Sequence, residues 1–363
     1  MTKNVWFMAY TFSLLLTARL ALAAPVKSLP APLLLMDSFF SHHVIIAEKS
    51  THKLYLYQSS ANGPKMVKTF QMATGKKAGN KIFQGDHRTP EGVYYLTEFL
   101  THQDLISRHG KQGEIYGVGA FVLNYPNPID ETAGKTGGGI WLHSTNDETR
   151  IEKGLDSRGC IVTANSDLIE ISRYIELNRT PVVVVHELSF LQLDTWKTKS
   201  QKVKSTIEAW VQSWAQEDYE SYIDSYHAEF SDPIKGGLNS FSIYKKAVFA
   251  NPGKPEIEIT DLSLLQGGPY IMATFKQEYK SNSIEDLGRK TLYLKQDEYY
   301  NWKIVSERWS KHGIPSAPVP NQVAFEPSNR FFESSNPRKI LGDRLLRAVN
   351  STPESPLADK SNN

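Results

Sequence analysis

Apolar and polar positions alternate in short runs over the first half of the chain and change to helical spacing in the second. Val44 to Ala47 and Leu54 to Tyr57 flank a polar turn from Lys49 to Lys53, which predicts a hairpin. Further strand signals follow at Met66–Ala73, Gly92–Leu96, Ala120–Tyr125, Ile140–His143 and Pro181–His186. Gly, Pro, Asn and Asp separate them, so the region reads as a mostly β domain with one or two helices. One helix is marked by Leu168, Ile169, Ile171 and Ile175, with Asp167 and Glu170 placed as a capping-box pair. Thr101 to Gly117 lacks a clean period and holds Gly110 and Gly113, which leaves a loop or a broken helix open.

Beyond His186 the pattern changes. Ile207, Trp210, Val211 and Trp214 recur at helical spacing, and Tyr219, Tyr222, Ile223 and Tyr226 repeat it, predicting two aromatic-rich helices. Strand-like runs follow at Pro255–Leu265, Tyr270–Tyr279, Lys290–Gln296 and Trp302–Ser306. A helical aromatic stripe usually buries, so Trp210, Trp214 and Tyr226 are expected in a core. Residues 311–363 are rich in Pro, Ser and Asn; Pro315 to Pro320 argues for extended chain, and only Arg338–Val349 carries a helical stripe. The organisation read from this is a signal peptide at 1–24, a linker at 25–40, a first domain at 41–188, a linker at 189–204, a second domain at 205–310 and a tail at 311–363.

Composition narrows the classes. The chain has 363 residues, 40% hydrophobic and 11% aromatic, enough for two packed domains and against disorder. Lys3, the apolar stretch Val5–Leu22 and Ala21-Leu22-Ala23 read as a cleavable export signal, which implies a periplasmic or otherwise exported protein with no membrane span once it is removed. The formal charge of +2 includes Lys3 and Arg19, so the mature chain is neutral and nucleic acid is disfavoured as a partner. No His, Cys, Asp and Glu spacing suits a metal, and Asp86-His87 reads as ordinary surface. No metal or other cofactor is expected. Asp104 and Glu114 read as two solvated loop carboxylates.

Cys160 is the chain's single cysteine, so it cannot form an intramolecular disulfide. It sits in Ser157-Arg158-Gly159-Cys160, on a turn between a glycine-rich strand end and a helix, seventeen residues after His143. A thiol reacts as thiolate, and an imidazole commonly makes one near neutral pH, so the pair is a candidate acyl-transfer site. The amides of Gly159 and Cys160 are natural oxyanion donors, and Arg158 is a candidate for holding a substrate carboxylate.

Ala73-Thr74-Gly75, Thr89 to Tyr94, Ile140 to His143 and Ser157 to Cys160 together resemble the ordered motifs of the L,D-transpeptidase (YkuD-type) catalytic domain, over roughly residues 41–188. The chain departs from the usual pattern at Val162, where many members have arginine, and at Ser144, where many have glycine. The resemblance implies a β-sandwich-like fold, with Cys160 as nucleophile, His143 as base and the Ser144 carbonyl orienting the imidazole, the Ser144 hydroxyl being the rival. It implies Ser157, Arg158 and Gly159 as substrate-binding residues and peptidoglycan stem peptides as partners, with terminal D-alanine lost from a tetrapeptide and water or an amine resolving the thioacyl enzyme. The order of the second region resembles the α+β cone of nuclear-transport-factor-two (NTF2) relatives, a layout similar to carboxypeptidases that set cell shape. An amidase that frees wall-tethered lipoprotein and a non-catalytic wall-binding protein are the alternatives. Dimerisation stays open as a role for the second region, so a homodimer is among the expected partners.

Overall fold

The computed structural model describes residues 27–250, 253, 255–311 and 325–332. The expected signal peptide, Pro315–Pro320 and the Arg338–Val349 stripe lie outside the described residues.

The first domain is built on an eight-stranded sheet. Its order is Ile161–Val162, Trp141–His143, Gly119–Leu123, Gly92–Thr101, Pro181–Val185, His43–Glu48, Lys53–Gln58 and Lys65–Gln71. Two contacts are parallel, Ile161–Val162 on Trp141–His143 and Pro181–Val185 on His43–Glu48. The two sheet edges also meet, because Ala73 and Val162 exchange both backbone hydrogen bonds at 2.8 Å. The sheet therefore rolls shut at the end where the candidate cysteine lies.

Side chains alternate between the two faces of a strand, so a strand buried on both faces reads as an unbroken apolar run. Pro181 to Val185 is such a run. Val182 and Val184 pack with Ile45, Phe121, Leu142, Leu168 and Ile171 in the first domain's own core. Val183 faces the other way and packs with Val44, Ile46 and Val93 against Leu265, Tyr270, Met272 and Tyr293 of the second domain.

The second domain is a five-stranded antiparallel sheet in the order Trp302–Ser310, Glu285–Gln296, Tyr270–Lys280, Glu256–Gly267 and Leu33–Leu35. Helices Leu193–Ala215, Tyr219–Asp224 and Leu238–Phe249 accompany it, and Trp210 and Tyr226 are buried as the stripe implied. Inside, Glu307 accepts from Lys290 at 2.9 Å and from the Tyr226 hydroxyl at 3.2 Å, and Lys245, ringed by Trp214, Tyr222 and Phe241, is pushed down to about 8 by burial. Leu238–Phe249 escapes the sequence pattern because it buries only Phe241 and exposes Ile243, Tyr244 and Val248.

Several expectations change. Residues 25–40, expected as a linker, form Ser28–Pro30, paired with Phe190–Gln192, and Leu33–Leu35, the edge strand of the second sheet. The 189–204 stretch, also expected as a linker, is that strand at 190–192 and the first half of a 23-residue helix. Asp167 and Glu170 form no capping box: the helix is Asn165–Ser172, Ala164 is its N-cap with no side-chain bond, and Glu170 binds Lys68 and Arg173. The unsettled Thr101–Gly117 stretch is a helix, His102–His109, capped reciprocally by Thr101 and Asp104, followed by a 3-10 turn to Tyr116. Asp104 is thus a capping residue. Asp86 is not ordinary surface: Lys81 and three backbone amides hold its carboxylate, down to about 2. Part of the tail docks on the first domain, where Phe325 stacks on His42 at 3.9 Å and Phe331 lies 4.9 Å from Phe99 and 5.0 Å from Phe121.

Candidate active site

The turn that carries Cys160 is tied down on both sides. The Lys76 amide donates to the Ser157 carbonyl at 2.8 Å, linking the turn to Thr74–Gly75. The Ser157 hydroxyl donates to the Cys160 carbonyl at 2.6 Å and accepts from the Gly159 amide at 3.0 Å. Gly159 has φ +128°, and a Cβ there would stand 2.8 Å from the Arg88 carbonyl oxygen, so both conformation and space demand glycine. Ser157 is therefore a buried staple of the turn, and the Gly159 amide, one of the two expected oxyanion donors, already has a partner within it. That leaves the Cys160 amide as the candidate donor.

His143 is brought to the same place by strand register. Ile161 pairs with Leu142 and Val162 with His143 in parallel, and the Thr163 amide donates to the His143 carbonyl at 2.9 Å. The His143 ring is buried, and its Nδ1 lies 2.5 Å from the Ser144 carbonyl oxygen. A carbonyl can only accept, so Nδ1 carries the proton and Nε2 is left as the basic nitrogen. The Ser144 hydroxyl is occupied elsewhere, donating to the Tyr116 carbonyl and accepting from the Val118 amide. Of the two expected orienting groups at Ser144, the carbonyl is the one in contact.

The charge state departs from the thiolate expectation. Burial pushes His143 down to about 4, against the bond to Ser144, and pushes Cys160 up to about 11, with the Trp141 amide pulling it back. The Cys160 residue is half-exposed at the cleft, yet its sulfur sits low enough to donate to the Gly139 carbonyl at 3.5 Å. The pair rests as neutral thiol and neutral imidazole, so a thiolate would form here only with transfer of the thiol proton.

Both side chains line a cleft of about 460 Å³, with Lys76, His109, Tyr116, Arg150, Asp156 and Arg158 around them. Arg150 is committed to Asp156 at 2.5 Å and also bonds Thr145. The Tyr116 ring stands edge-on to His143 at 4.9 Å and beside Trp141 at 4.9 Å. Arg158 and Lys76 are exposed and make no ion pair among the described residues. Among those residues no cluster of three or more His, Cys, Asp or Glu could hold a metal, and no helix is long and apolar enough to cross a membrane.

The family model of the L,D-transpeptidase catalytic domain (YkuD) matches residues 42–184. These residues belong to the L,D-transpeptidase family. A second model, the Cds6 C-terminal NTF2-like domain, matches residues 202–308, so the transpeptidase domain is followed by an NTF2-like one. The structure of Bd1075 from Bdellovibrio bacteriovorus is similar at 28% identity and TM-score 0.69, covering 80% of this chain and 100% of that one. The helical cell shape determining protein Pgp2 from Campylobacter jejuni shares the fold at 24% identity and TM-score 0.58, over 75% of this chain and 94% of that one. No curated protein sequence matches the chain.

Within the transpeptidase domain, sequence reasoning missed Tyr116, Arg150 and Asp156. Tyr116 ends a 3-10 turn, and Arg150 lies in a four-residue helix, so neither belongs to a period that singles it out. Val162, at the position of the usual arginine, is fully buried in the sheet and does not line the cleft.

Proposed function

We propose that the chain is a cysteine-dependent peptidoglycan acyltransferase or peptidase that cleaves the terminal D-alanine from stem tetrapeptides. The observation that carries this is the convergence on one cleft of Cys160, in the turn that leads into strand Ile161–Val162, and His143, on the parallel neighbour Trp141–His143, with Nε2 of His143 left as the free base. As Cys160 sulfur attacks the peptide carbonyl, its proton passes to Nε2; the carbon–nitrogen bond then breaks and that proton leaves with the D-alanine amine. Water or a second stem amine attacks the thioester, gives a proton to His143, and the sulfur departs to recover it. The two unpaired cations, Arg158 and Lys76, suit the carboxylates of a stem peptide. Ser144 orients the base through its carbonyl, and Gly159 and Ser157 shape the turn.

We also read the protein as exported, since its proposed substrate is the cell wall, and as acting in wall remodelling that sets cell shape, on the likeness to the Campylobacter protein. Incubating the full chain with disaccharide tetrapeptide and weighing the products tests the reaction. Tripeptide product means hydrolysis, and crosslinked dimer means transfer. Absence of both, with Cys160 intact, would remove this reading.

A further inference from the structure

The cleft that holds Cys160 is lined by Lys76, Arg150 and Arg158, and its one acid is Asp156. Asp156 is spent on Arg150 at 2.5 Å, and Arg150 gives its remaining contacts to Thr145 and the Ile115 carbonyl. Arg158 and Lys76 are exposed and have no acidic partner among the described residues. Positive charge is therefore left unbalanced beside the thiol, and a cleft of one sign concentrates ligands of the other.

Both free cations stand on fixed backbone. Arg158 is the second residue of the turn that Ser157 staples through the Gly159 amide and the Cys160 carbonyl. The Lys76 amide donates to the Ser157 carbonyl at 2.8 Å, and the Lys77 amide donates to the His87 carbonyl at 3.2 Å. A charged side chain on a rigid base has less freedom to lose when it takes a ligand. Reach separates the two. The leaving group of the proposed reaction is a single residue, so its carboxylate lies about one residue length, roughly 3.5 Å, beyond the attacked carbonyl. Only a cation close to the sulfur can read it. Arg158 is two residues from Cys160, which keeps their Cα atoms within about 7 Å, and its planar fork matches a carboxylate with two parallel hydrogen bonds. Lys76 is anchored at Ser157, three residues from Cys160 along the turn, and offers a point charge.

We infer that Arg158 is the specificity-determining residue of this site, holding the free carboxylate of the departing residue and so restricting the protein to uncrosslinked stems. The inference rests on the proposed reaction and deepens it. Where that carboxyl is joined to another stem as an amide, it carries no charge and the guanidinium gains nothing from it. Crosslinked stems are then poor donors.

The test measures kcat/KM of the full chain on disaccharide tetrapeptide and on the same compound ending in D-alaninamide. Wild type prefers the free acid by about ten- to hundredfold, the usual worth of a hydrogen bond to a charged group. Arg158→Gln loses that preference because its rate on the acid falls towards that on the amide. Arg158→Lys, which keeps a charge without the fork, recovers part of it. Any change in the thiol itself acts on both compounds alike, so the acid-to-amide ratio reports the terminal carboxylate alone. Lys76→Met is the comparison, lowering both rates together and keeping the ratio. Arg158 is exposed and unpartnered, so folding is not at stake in its variants. A ratio that survives Arg158→Gln overturns the inference, as does one that collapses as far in Lys76→Met. Wild type cutting acid and amide equally ends this inference alone, whereas wild type cutting neither ends the proposed reaction and this inference with it.

Discussion

In the Ser157–Cys160 turn Ser157 answers to a polar demand within three residues and Gly159 to a steric one at Arg88, whereas the core between the domains is made by apolar side chains eighty or more residues apart. Ser157 binds the two backbone groups beside it, and Gly159 fits under Arg88. Val44, Ile46 and Val183, by contrast, are ordinary apolar residues until Leu265, Met272 and Tyr293 cover them. The turn carries the candidate cysteine and tolerates little change of residue type. The shared core sets stability, tolerates apolar exchange of similar size, and makes the two family-matched regions a single folding problem. The contrast can be broken or sharpened by four substitutions.

The largest effect belongs to Cys160→Ala, which leaves no group able to form a thioester. Turnover of disaccharide tetrapeptide and the covalent mass shift with a carbapenem both fall to background, while the melting temperature stays at the wild-type value. Retained turnover would end the cysteine mechanism.

His143→Ala follows, with a rate loss of about 10²-fold or more, the usual contribution of a positioned base. The same residue gives a pH signature. His143 sits near 4 in the folded chain and near its ordinary 6.5 when unfolded, so the unfolded chain binds the extra proton first. Stability is full above pH 6.5 and declines as pH falls towards 4, by at most roughly 3 kcal/mol from this group. Urea titrations at both ends of that window should show a smaller decline in His143→Ala than in wild type. An equal decline would assign the acid sensitivity to other groups.

Leu265→Ala tests the shared core. Leu265 is fully buried there, and the truncation should cost about 2–5 kcal/mol. Both domains should melt in one shifted transition. Two separate transitions, with the first domain unmoved, would show that the sheets are only neighbours. By the same reasoning, truncation after Ser200 strips the first domain's outer face of its cover and should give an aggregating product.

Phe331→Ala is the smallest of the four. The ring is only part-buried against Phe99 and Phe121, and its loss should destabilise the first domain by roughly 1–2 kcal/mol, read by denaturant titration. No measurable change would mean that the docked segment adds nothing to the catalytic core.

How far the sequence could be read follows from the range of the interactions concerned. Alternation and turn residues are local, so the strands around Val44, Leu54, Tyr94 and Tyr270 were legible. Cys160, His143 and Ser144 stood out as candidates through motif order, since a glycine turn beside a lone thiol is a local arrangement. The helix Leu238–Phe249 was not, because its buried side is one residue wide, and the three-residue strands at 28–35 are too short to show a period. The neutral resting state of the pair was also hidden, because it comes from burial by the rolled sheet. Arg150, Asp156 and Tyr116 reach the cleft from separate loops. By itself, then, the sequence determined two domain types, the candidate cysteine and histidine and the glycine of their turn, because each is written in neighbouring residues or in a repeat of period two or 3.6. Only the tertiary structure decided that Leu33–Leu35 belongs to the second sheet, that Ser157 serves the turn, and that Tyr270 reaches into the transpeptidase domain. Those facts depend on which surfaces exclude water together, and no local pattern records the partner of a surface.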